Sequence, residues 1–550
     1  MRSNRLRHNA PLPSNGAVHA LTLMFFLLAI VLFPGTTLGQ AYVPPPPNVY
    51  VTPTVGPPTT TVFVSGNGFD PFAAVDIYFD TTDLAIVRTD VNGAFGTTSP
   101  TPKPTISGVP IVAPKDALPG THWITAVERD QNKSGQVQFL VRTDWAQFGF
   151  GPNHKGVNPY ENILNPDNVA GLGVRWSYPF GYPSGASGGS PVVANGIVYE
   201  GSADGPDGYV RAFDPSTGTL LWKFKTIGWV DGAPAVVNGV LYIGDRYGPN
   251  MYALNASTGA LLWYYRASSD IDSSPAVVNG VVYFGNIGGD VYALDSATGA
   301  RLWQQHKGQC VESYVAVANG VVYANTVAVG GAEYLYALNS GTGAELWNAQ
   351  IAGTGAQCYT YSAPAVASGV VYVGSWDHNV YAFNAKTGAL LWKYQTGDVV
   401  RSSPAIADGV VFVGSYDNNL YALNAYTGTL VWKYTTASIV YSSPAVANGV
   451  VYFASGDDGT LYALDARTGA LLWKYPIGPY LYSSGVVADG MMYFASTDKN
   501  SNSNLYAFGL PGGSSPDKLN PPARPDPGSL RPDWKLQPSA VVTRNPSDLN

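Results

Sequence analysis

The stretch Ala463-Leu-Asp-Ala-Arg-Thr-Gly-Ala-Leu-Leu-Trp473 organises the chain, because its form recurs along the sequence. Six other copies share Ala, Leu or Phe, Asp or Asn, two free residues, Thr-Gly, three residues and Trp. They end at Trp222, Trp263, Trp303, Trp347, Trp392 and Trp432, so the period is 40 to 45 residues. Four-stranded propeller blades have a period in this range. The repeat therefore predicts a β-propeller.

One period, residues 441–475, divides into two hairpins. Asn448-Gly449 joins the short apolar runs 443–447 and 450–454, and this dipeptide supplies the two positive φ angles of a two-residue turn. In the second hairpin, Asp465-Ala-Arg-Thr-Gly469 is the turn, where the Asp side chain can bond the backbone ahead and Gly takes the left-handed position. The pattern predicts a four-stranded antiparallel blade.

The first of these turns recurs eight times, and the two ends of the array complement each other. The last copy has no Thr-Gly and no Trp after it, whereas Trp176 precedes the first copy. We therefore predict an all-β, eight-bladed ring in which residues 172–178 supply the outermost strand of the last blade. The blade Trp residues are expected to fill the wedges between blades rather than to bind a ligand; they are Trp176, Trp222, Trp263, Trp303, Trp347, Trp392, Trp432 and Trp473.

The first 39 residues are typical of an export signal. Three Arg residues precede an apolar core over residues 20–33, which is short for a membrane span, and Pro34 and small residues follow. Cleavage near Gly39 would leave no segment apolar enough to cross a membrane, so the protein is predicted to be periplasmic or extracellular. The net charge of −7 is mild, and the sequence has no basic stripe of the kind that binds nucleic acid.

Composition divides the rest of the chain into four segments. Residues 40–58 are a Pro-rich linker that is expected to be extended. Residues 59–143 contain runs of alternating apolar and polar residues, which predict the strands of a small β-sandwich. Residues 144–510 are assigned to the propeller, and the Pro-rich residues 511–550 to a disordered tail. Residues 65–72, 89–95 and 118–122 resemble the immunoglobulin-like repeats of bacterial exported proteins, which implies a spacer or adhesive module.

The lead-in from Asp144 to Trp176, with the seven Thr-Gly-to-Trp motifs, resembles two known propellers. These are the propeller of pyrroloquinoline-quinone (PQQ)-dependent dehydrogenases and the similar propeller of the outer-membrane assembly lipoprotein. The likeness to the dehydrogenases implies PQQ and calcium in the central funnel, typically under a ring closed by two adjacent Cys residues. This sequence has no adjacent Cys pair and no Cys-x-x-Cys-His motif, so no catalytic residue and no metal ligand is assigned.

Two functions from different classes fit these observations. The first is a non-catalytic exported propeller that binds a protein, a glycan, another envelope component or a small polar ligand through the loops that vary between blades. The alternative is a PQQ-dependent oxidoreductase of the alcohol or sugar dehydrogenase type. No Ser-His-Asp order, phosphate loop or zinc-ligand spacing is evident, so the first function is favoured and enzymatic activity is left open.

One column of the blade alignment predicts the binding site. Directly before the start of each innermost strand lies one residue that varies while its neighbours barely do: Gly188, Asp231, Asp272, Glu312, Tyr361, Arg401, Tyr441 and Tyr482. Because innermost strands surround the axis, these side chains should ring the channel mouth, with the acids facing Arg401 and the three Tyr residues. Such a ring could hold a hard cation or stack a polar ring-shaped ligand. Equally, Arg401 could simply neutralise the acids over a water-filled channel.

Four further residues complete the candidates. Trp376 and Tyr416 lie on loops near the predicted mouth and are lesser candidates for ligand contacts. Cys310 and Cys358 each follow Gln and enter the innermost strands of neighbouring blades. Because disulfides persist in exported proteins, these cysteines are predicted to bridge adjacent blades, the alternative being two buried free thiols.

Overall fold

The structure is a computed structural model of the 550-residue chain. It describes residues 45–96, 108–130, 133–180, 189–204, 207–311, 314–328, 330–352, 362–478, 483–497, 503–512, 522–532 and 542–543. The described residues from Pro46 onward belong to one compact unit. Among them, no helix has the length and apolarity needed to span a membrane.

The described residues before 142 form a β-sandwich, joined by one short strand from the far end of the chain. Its strands are β1 (Asn48–Thr52), β2 (Val55–Gly56), β3 (Thr61–Asn67), β4 (Ala74–Phe79), β5 (Thr82–Arg88), β6 (Val109–Val112), β7 (Gly120–Glu128), β8 (Ser134–Val141) and β42 (Val542–Thr543). One sheet has the order β1-β3-β6 and the other β2-β8-β7-β4-β5-β42. Alternate residues point inward, so Val62 and Val64 of β3 pack with Ile77 and Ile124 of the other sheet in one core.

The first strand of the sandwich precedes residue 59. β1 lies within the predicted linker, yet it pairs with β3 from Asn48 opposite Asn67 to Thr52 opposite Phe63. Its alternating Val49 and Val51 face the core. The sequence predicts no strand from this short alternation of apolar and polar residues, because the surrounding segment is rich in Pro and such segments usually remain extended and unpacked. The domain boundaries and the immunoglobulin-like assignment stay predictions.

The described residues from 157 to 509 include eight four-stranded antiparallel sheets, which we number as blades 1 to 8 in the order of their innermost strands. The strands are, in blade 1, β11 (Val192–Ala194), β12 (Ile197–Asp204), β13 (Asp207–Phe213) and β14 (Leu220–Thr226); in blade 2, β15 (Ala235–Val237), β16 (Val240–Gly244), β17 (Asn250–Asn255) and β18 (Leu261–Arg266); in blade 3, β19 (Ala276–Val278), β20 (Val281–Gly285), β21 (Asp290–Asp295) and β22 (Arg301–His306); in blade 4, β23 (Ala316–Ala318), β24 (Val321–Val327), β25 (Glu333–Asn339) and β26 (Glu345–Ala352). Blade 5 has β27 (Ala365–Ala367), β28 (Val370–Gly374), β29 (Asn379–Asn384) and β30 (Leu390–Gln395); blade 6, β31 (Ala405–Ala407), β32 (Val410–Gly414), β33 (Asn419–Asn424) and β34 (Leu430–Thr435); blade 7, β35 (Ala445–Ala447), β36 (Val450–Ala454), β37 (Thr460–Asp465) and β38 (Leu471–Pro476); blade 8, β39 (Val486–Ala488), β40 (Met491–Thr497), β41 (Ser503–Gly509) and β10 (Gly173–Pro179). A further short strand, β9 (Val157–Asn158), adds to β35 in parallel.

Blade 8 is completed by a strand from the beginning of the ring, which confirms the predicted fold. β10 pairs antiparallel with β41, placing Trp176 opposite Ala507. The hairpin turns also form as expected, since Asn448 and Gly449 have φ angles of 43° and 79°. Two consecutive positive φ angles are what a two-residue turn between twisted strands requires.

Each blade Trp docks on the turn of the following blade. Trp347 of blade 4 donates its indole N–H to the Ala385 carbonyl at 3.1 Å, in the Thr-Gly turn of blade 5. Gly388 of that turn has φ 71° and lies so close to the indole that a Cβ there would be 2.6 Å from Trp347 Cε3. Trp473 makes the corresponding bond to the Leu172 carbonyl, 3.0 Å away at the closure. The Thr-Gly and Trp of the repeat are therefore two halves of one contact between blades; the same bond is made by Trp176, Trp222, Trp263, Trp303, Trp392 and Trp432.

Residues 145–158, which we call the girdle, run inside the ring and bond the innermost strand of each blade in turn. The girdle residues and their partners in blades 1 to 7 are Trp145 with Val193, Ala146 with Val236, Gln147 with Val277, Pro152 with Val317, Asn153 with Val366, Lys155 with Ile406 and Gly156 with Val446. In blade 8, the Asn158 side-chain amide donates to the Val487 carbonyl at 2.9 Å. Asp144 and Glu161, on either side of the girdle, accept bonds from the inner turns of blades 1 and 8. The girdle therefore enters and leaves on the inner-turn face and lies inside the ring of innermost strands.

Part of the segment predicted to be a disordered tail also lies against the sandwich. Within residues 522–532, Leu530 is 7% exposed. Further along the chain, the short strand β42 pairs with Ile86 and Ala85 of β5. The sequence does not predict these contacts, because the apolar residues of this segment recur with neither a helical nor a strand period.

Candidate ligand site at the channel mouth

Serine hydroxyls link the starts of neighbouring innermost strands at five of the boundaries between blades. Ser443 Oγ accepts a bond from the Ser403 amide at 3.0 Å, and Ser484 Oγ accepts one from the Ser443 amide at 2.9 Å. Ser190 Oγ of blade 1 accepts from the Ser484 amide of blade 8 at 2.9 Å, so the pattern crosses the closure. The predicted site column lies two residues before the position of these serines, so where the serine bonds occur they help to position the backbone of the column.

The structure describes half of that column. Asp231, Asp272, Arg401 and Tyr441 lie within the described residues, as do the loop candidates Trp376 and Tyr416. The other predicted site residues, Gly188, Glu312, Tyr361 and Tyr482, lie outside the described residues.

Asp231 and Asp272 share an arginine that the sequence analysis misses. Arg246 Nη1 lies 3.5 Å from an oxygen of each carboxylate, and the Asp272 side chain is only 5% exposed. Arg246 follows β16 in a loop of five residues, one longer than the corresponding loop of blade 3. It lies two residues after the end of the second strand, as Trp376 and Tyr416 do in blades 5 and 6, so the column that holds those two candidates also holds Arg246. The second carboxylate oxygen of both acids is buried and has no hydrogen-bond partner in the part of the chain that the structure describes.

Burial and mutual repulsion shift the ionisation of these acids. Burial raises the pKa of Asp272 to about 7, the Asp231 charge adds to the increase, and Arg246 opposes it. Burial also raises the pKa of Asp231, against the opposing effect of Arg246. Tyr314, whose ring centre lies 4.3 Å from that of Phe148 in the girdle, has its pKa raised to about 12 by burial and by the same two carboxylates. This side of the mouth therefore combines acceptor oxygens with one cation.

The other described side of the mouth is an aromatic cluster around Arg401. The Arg401 guanidinium carbon lies 5.5, 5.6 and 5.2 Å from the ring centres of Trp376, Tyr416 and Tyr441. Its Nη1 also donates to the Tyr416 hydroxyl at 2.7 Å. Such cation–π contacts position a guanidinium while leaving its charge in place. The structure thus brings together four predicted residues, whereas Arg246 is the cation within ion-pair distance of Asp231 and Asp272.

The donor set of the acidic side does not fit the calcium that the sequence resemblance implies. Calcium takes six to eight oxygen ligands, mainly from carboxylates, carbonyls and water. Here two carboxylates flank a guanidinium, and no group of three or more His, Cys, Asp or Glu side chains within the described ranges could hold a metal ion.

The structure describes one of the two cysteines that are predicted to form a disulfide. Cys310 is fully buried, is disulfide-bonded and packs beside Val327 and Trp376. Cys358 lies outside the described residues, so the bridge between Cys310 and Cys358 stays a prediction.

Asp272 is expected to make the stability of the propeller depend on pH. Its folded-state pKa of about 7 lies above the ordinary value of 3.8, so the folded protein binds the proton more tightly than the unfolded chain. The contribution of Asp272 to the free energy of unfolding is fully present below about pH 4 and is lost as the pH rises to about 7. Denaturant unfolding of the wild type and of Asp272→Asn should therefore differ most in slope between pH 4 and 7. Asp457→Asn, at an exposed carboxylate, is the control, and parallel curves for wild type and Asp272→Asn would contradict the expectation.

Comparisons with known proteins agree with this fold. The profile of a family described as outer membrane protein assembly factor BamB matches residues 206–378 and 376–502, together more than half of the chain. Among solved structures, a europium-containing methanol dehydrogenase aligns with a TM-score of 0.59 and 15% identity, over 67% of this chain and 98% of that chain. The quinohemoprotein alcohol dehydrogenase from Comamonas testosteroni aligns with a TM-score of 0.58 and 16% identity, over 68% of this chain and 81% of that chain. BamB from Moraxella catarrhalis aligns with a TM-score of 0.49 and 18% identity, over 62% of this chain and 98% of that chain. Among curated protein sequences, none matches.

Proposed function

The chain belongs to the family described as outer membrane protein assembly factor BamB, and from this premise we propose that it is a binding propeller. Its site is the channel mouth on the face opposite the inner turns, where Asp231, Asp272 and Arg246 lie. Its ligand is a protein, glycan or other envelope component that the chain meets after export.

The partly buried charged cluster, in which the side chain of Asp272 is 5% exposed and those of Asp231 and Arg246 are 21% and 26% exposed, is the observation that best supports this proposal. Because the girdle lies inside the ring and enters from the inner-turn face, a ligand reaches the cluster from the face opposite the inner turns. Burying a carboxylate costs free energy unless its oxygens are hydrogen-bonded. The unpartnered oxygens of Asp231 and Asp272 therefore work against stability, and such groups concentrate at functional sites. A ligand that offers N–H or O–H donors would satisfy them.

The alternative function, a PQQ-dependent oxidoreductase, is the main competitor. The propeller fold serves both catalysts and binding scaffolds, so a shared fold does not select between them. The acidic side of the mouth, in which a guanidinium lies between the carboxylates, favours binding over a calcium-assisted reaction. Reconstitution with PQQ and calcium, followed by dye reduction with alcohols and sugars, is expected to give no turnover. Turnover that requires PQQ would replace the binding proposal by the oxidoreductase.

A photo-crosslinking experiment tests the location of binding. Tyr247 follows Arg246 at the mouth and is 58% exposed, whereas Tyr426 lies in the Thr-Gly turn of blade 6 on the opposite face and is 71% exposed. Each is replaced in turn by benzoylphenylalanine in the full chain, which is irradiated in its native host and analysed by mass spectrometry. Adducts are expected at position 247 and not at 426, and Asp231→Asn with Asp272→Asn should reduce their yield. Adducts at 426 alone, or at neither position, would contradict the proposed site.

A further inference from the structure

The centre of the outer face of the larger sandwich sheet is buried, although a sandwich of two sheets leaves its outer faces to solvent. Tyr78 of β4 lies opposite Thr125 of β7, which lies opposite Gln136 of β8, so the three side chains share one face. Ile77 and Ile124, on the other face, form the core between the sheets. Yet Tyr78 is only 1% exposed and Thr125 is fully buried. Another part of the chain must therefore cover this outer face.

The cover is the proline-rich segment 522–532. The Arg524 guanidinium lies 5.1 Å from the centre of a Trp123 ring, and Arg524 Nε donates to Gln136 Oε1 at 2.5 Å. Gln136 in turn donates from Nε2 to the Pro525 carbonyl at 2.8 Å and to Thr125 Oγ1 at 3.0 Å. Leu530, a few residues further, is 7% exposed. A cation–π contact and two hydrogen bonds of the Gln136 side-chain amide thus hold the segment, in which Leu530 is buried.

These contacts are the ones that recognise a proline-rich backbone. Prolines cannot donate a backbone hydrogen bond, so an extended proline-rich segment presents free carbonyls, which proteins bind with side-chain donors beside aromatic rings. Here Gln136 is the donor to the Pro525 carbonyl, and the Trp123 ring receives the neighbouring Arg524 guanidinium. Asp526 has φ −71° and ψ 114°, close to the polyproline II region, and Pro522 lines a pocket with Phe79 and His122. Because such a segment is extended before binding, it loses little conformational entropy when it docks.

We propose that the sandwich is a recognition module for a proline-rich segment that carries an arginine, and that residues 522–530 of this chain are its ligand, bound in cis. The module therefore does more than space the propeller from its surroundings. Bound in this way, the segment ties the chain that leaves the last blade back to the sandwich. This proposal is independent of the channel-mouth site.

The test separates the module from its ligand. A chain that ends at residue 512 is titrated against a fluorescein-labelled peptide of residues 519–532, and fluorescence anisotropy is measured. Saturable 1:1 binding is expected, and an Arg524→Ala peptide or a Trp123→Ala module should weaken it about tenfold, since each removes the cation–π contact. The full-length chain should not bind the peptide, because its own segment is present at a far higher effective concentration. A truncated chain that melts cooperatively but does not bind, or binds a scrambled peptide equally well, would overturn the proposal.

A second measurement covers the case in which the truncated chain does not fold. Hydrogen exchange of residues 522–530 in the full-length protein should become about tenfold faster in Arg524→Ala. Arg467→Ala, which changes an exposed arginine in a Thr-Gly turn of the propeller, should leave it unchanged. Equal exchange in the wild type and in Arg524→Ala would reject the proposal.

Discussion

Deleting residues 144–178 should leave a protein that aggregates and has no cooperative melting transition. The deletion removes the girdle, which bonds the innermost strand of every blade, and β10, the outermost strand of blade 8. Without β10, the whole length of β41 becomes an exposed edge, and such edges pair with other chains. The deletion also removes Trp145, Leu164 and Trp176 from the apolar cluster that they form with blades 7 and 8.

A fragment of residues 142–512 is the matched control for this deletion. It lacks the sandwich and the tail but keeps the girdle and β10, so it should remain soluble and melt in one transition. The measurements are size-exclusion chromatography and circular dichroism during heating. A soluble, cooperatively melting chain without residues 144–178 would show that neither element is needed to close the ring.

The repeated part of this fold can be predicted from sequence because its turns and its contacts between blades require the same residue types each time they recur. Asn448-Gly449 indicates a turn, since few other dipeptides accept two positive φ angles. Thr468-Gly469 and Trp473 stand at fixed spacing because they form contacts with neighbouring blades. Aligning these marks is sufficient to place Asp231 and Asp272 in one column, and the structure brings them to one arginine.

The unrepeated parts could not be predicted in this way. The girdle bonds mostly through backbone groups, which every sequence carries. The sequence of residues 145–158 therefore has no pattern that predicts their contacts with the innermost strands. Arg246 lies two residues after the second strand of its blade, as Trp376 and Tyr416 do in theirs, but nothing in the sequence marks it as the partner of Asp231 and Asp272. The segment around Arg524 is held by a few side chains on a partner surface distant in sequence. Each of these features is specific to one place, and sequence periodicity detects only what is repeated.

Replacing Gly388 by Ala should destabilise the propeller more than replacing Gly369 by Ala in the same blade. Both glycines have similar left-handed backbones, with φ angles of 71° and 78°, so both substitutions carry the cost of about 1 to 2 kcal/mol for a side chain in that region. At Gly369 the new Cβ would meet nothing within 4 Å. At Gly388 it would lie 2.6 Å from Trp347 Cε3 and 2.7 Å from Cδ2, so the indole must move.

The difference between the two variants isolates the contact between blades 4 and 5. Overpacking typically costs about 1 to 3 kcal/mol, and a displaced Trp347 would also weaken its 3.1 Å bond to the Ala385 carbonyl. Denaturant unfolding of Gly388→Ala should therefore show a free energy of unfolding about 1 to 3 kcal/mol below that of Gly369→Ala. Because the same glycine and Trp pair recurs at six other blade boundaries, Gly428→Ala against Trp392 should repeat the result. Equal unfolding free energies for Gly388→Ala and Gly369→Ala would mean that the indole shifts at no cost, and that the Thr-Gly motif is retained for its turn alone.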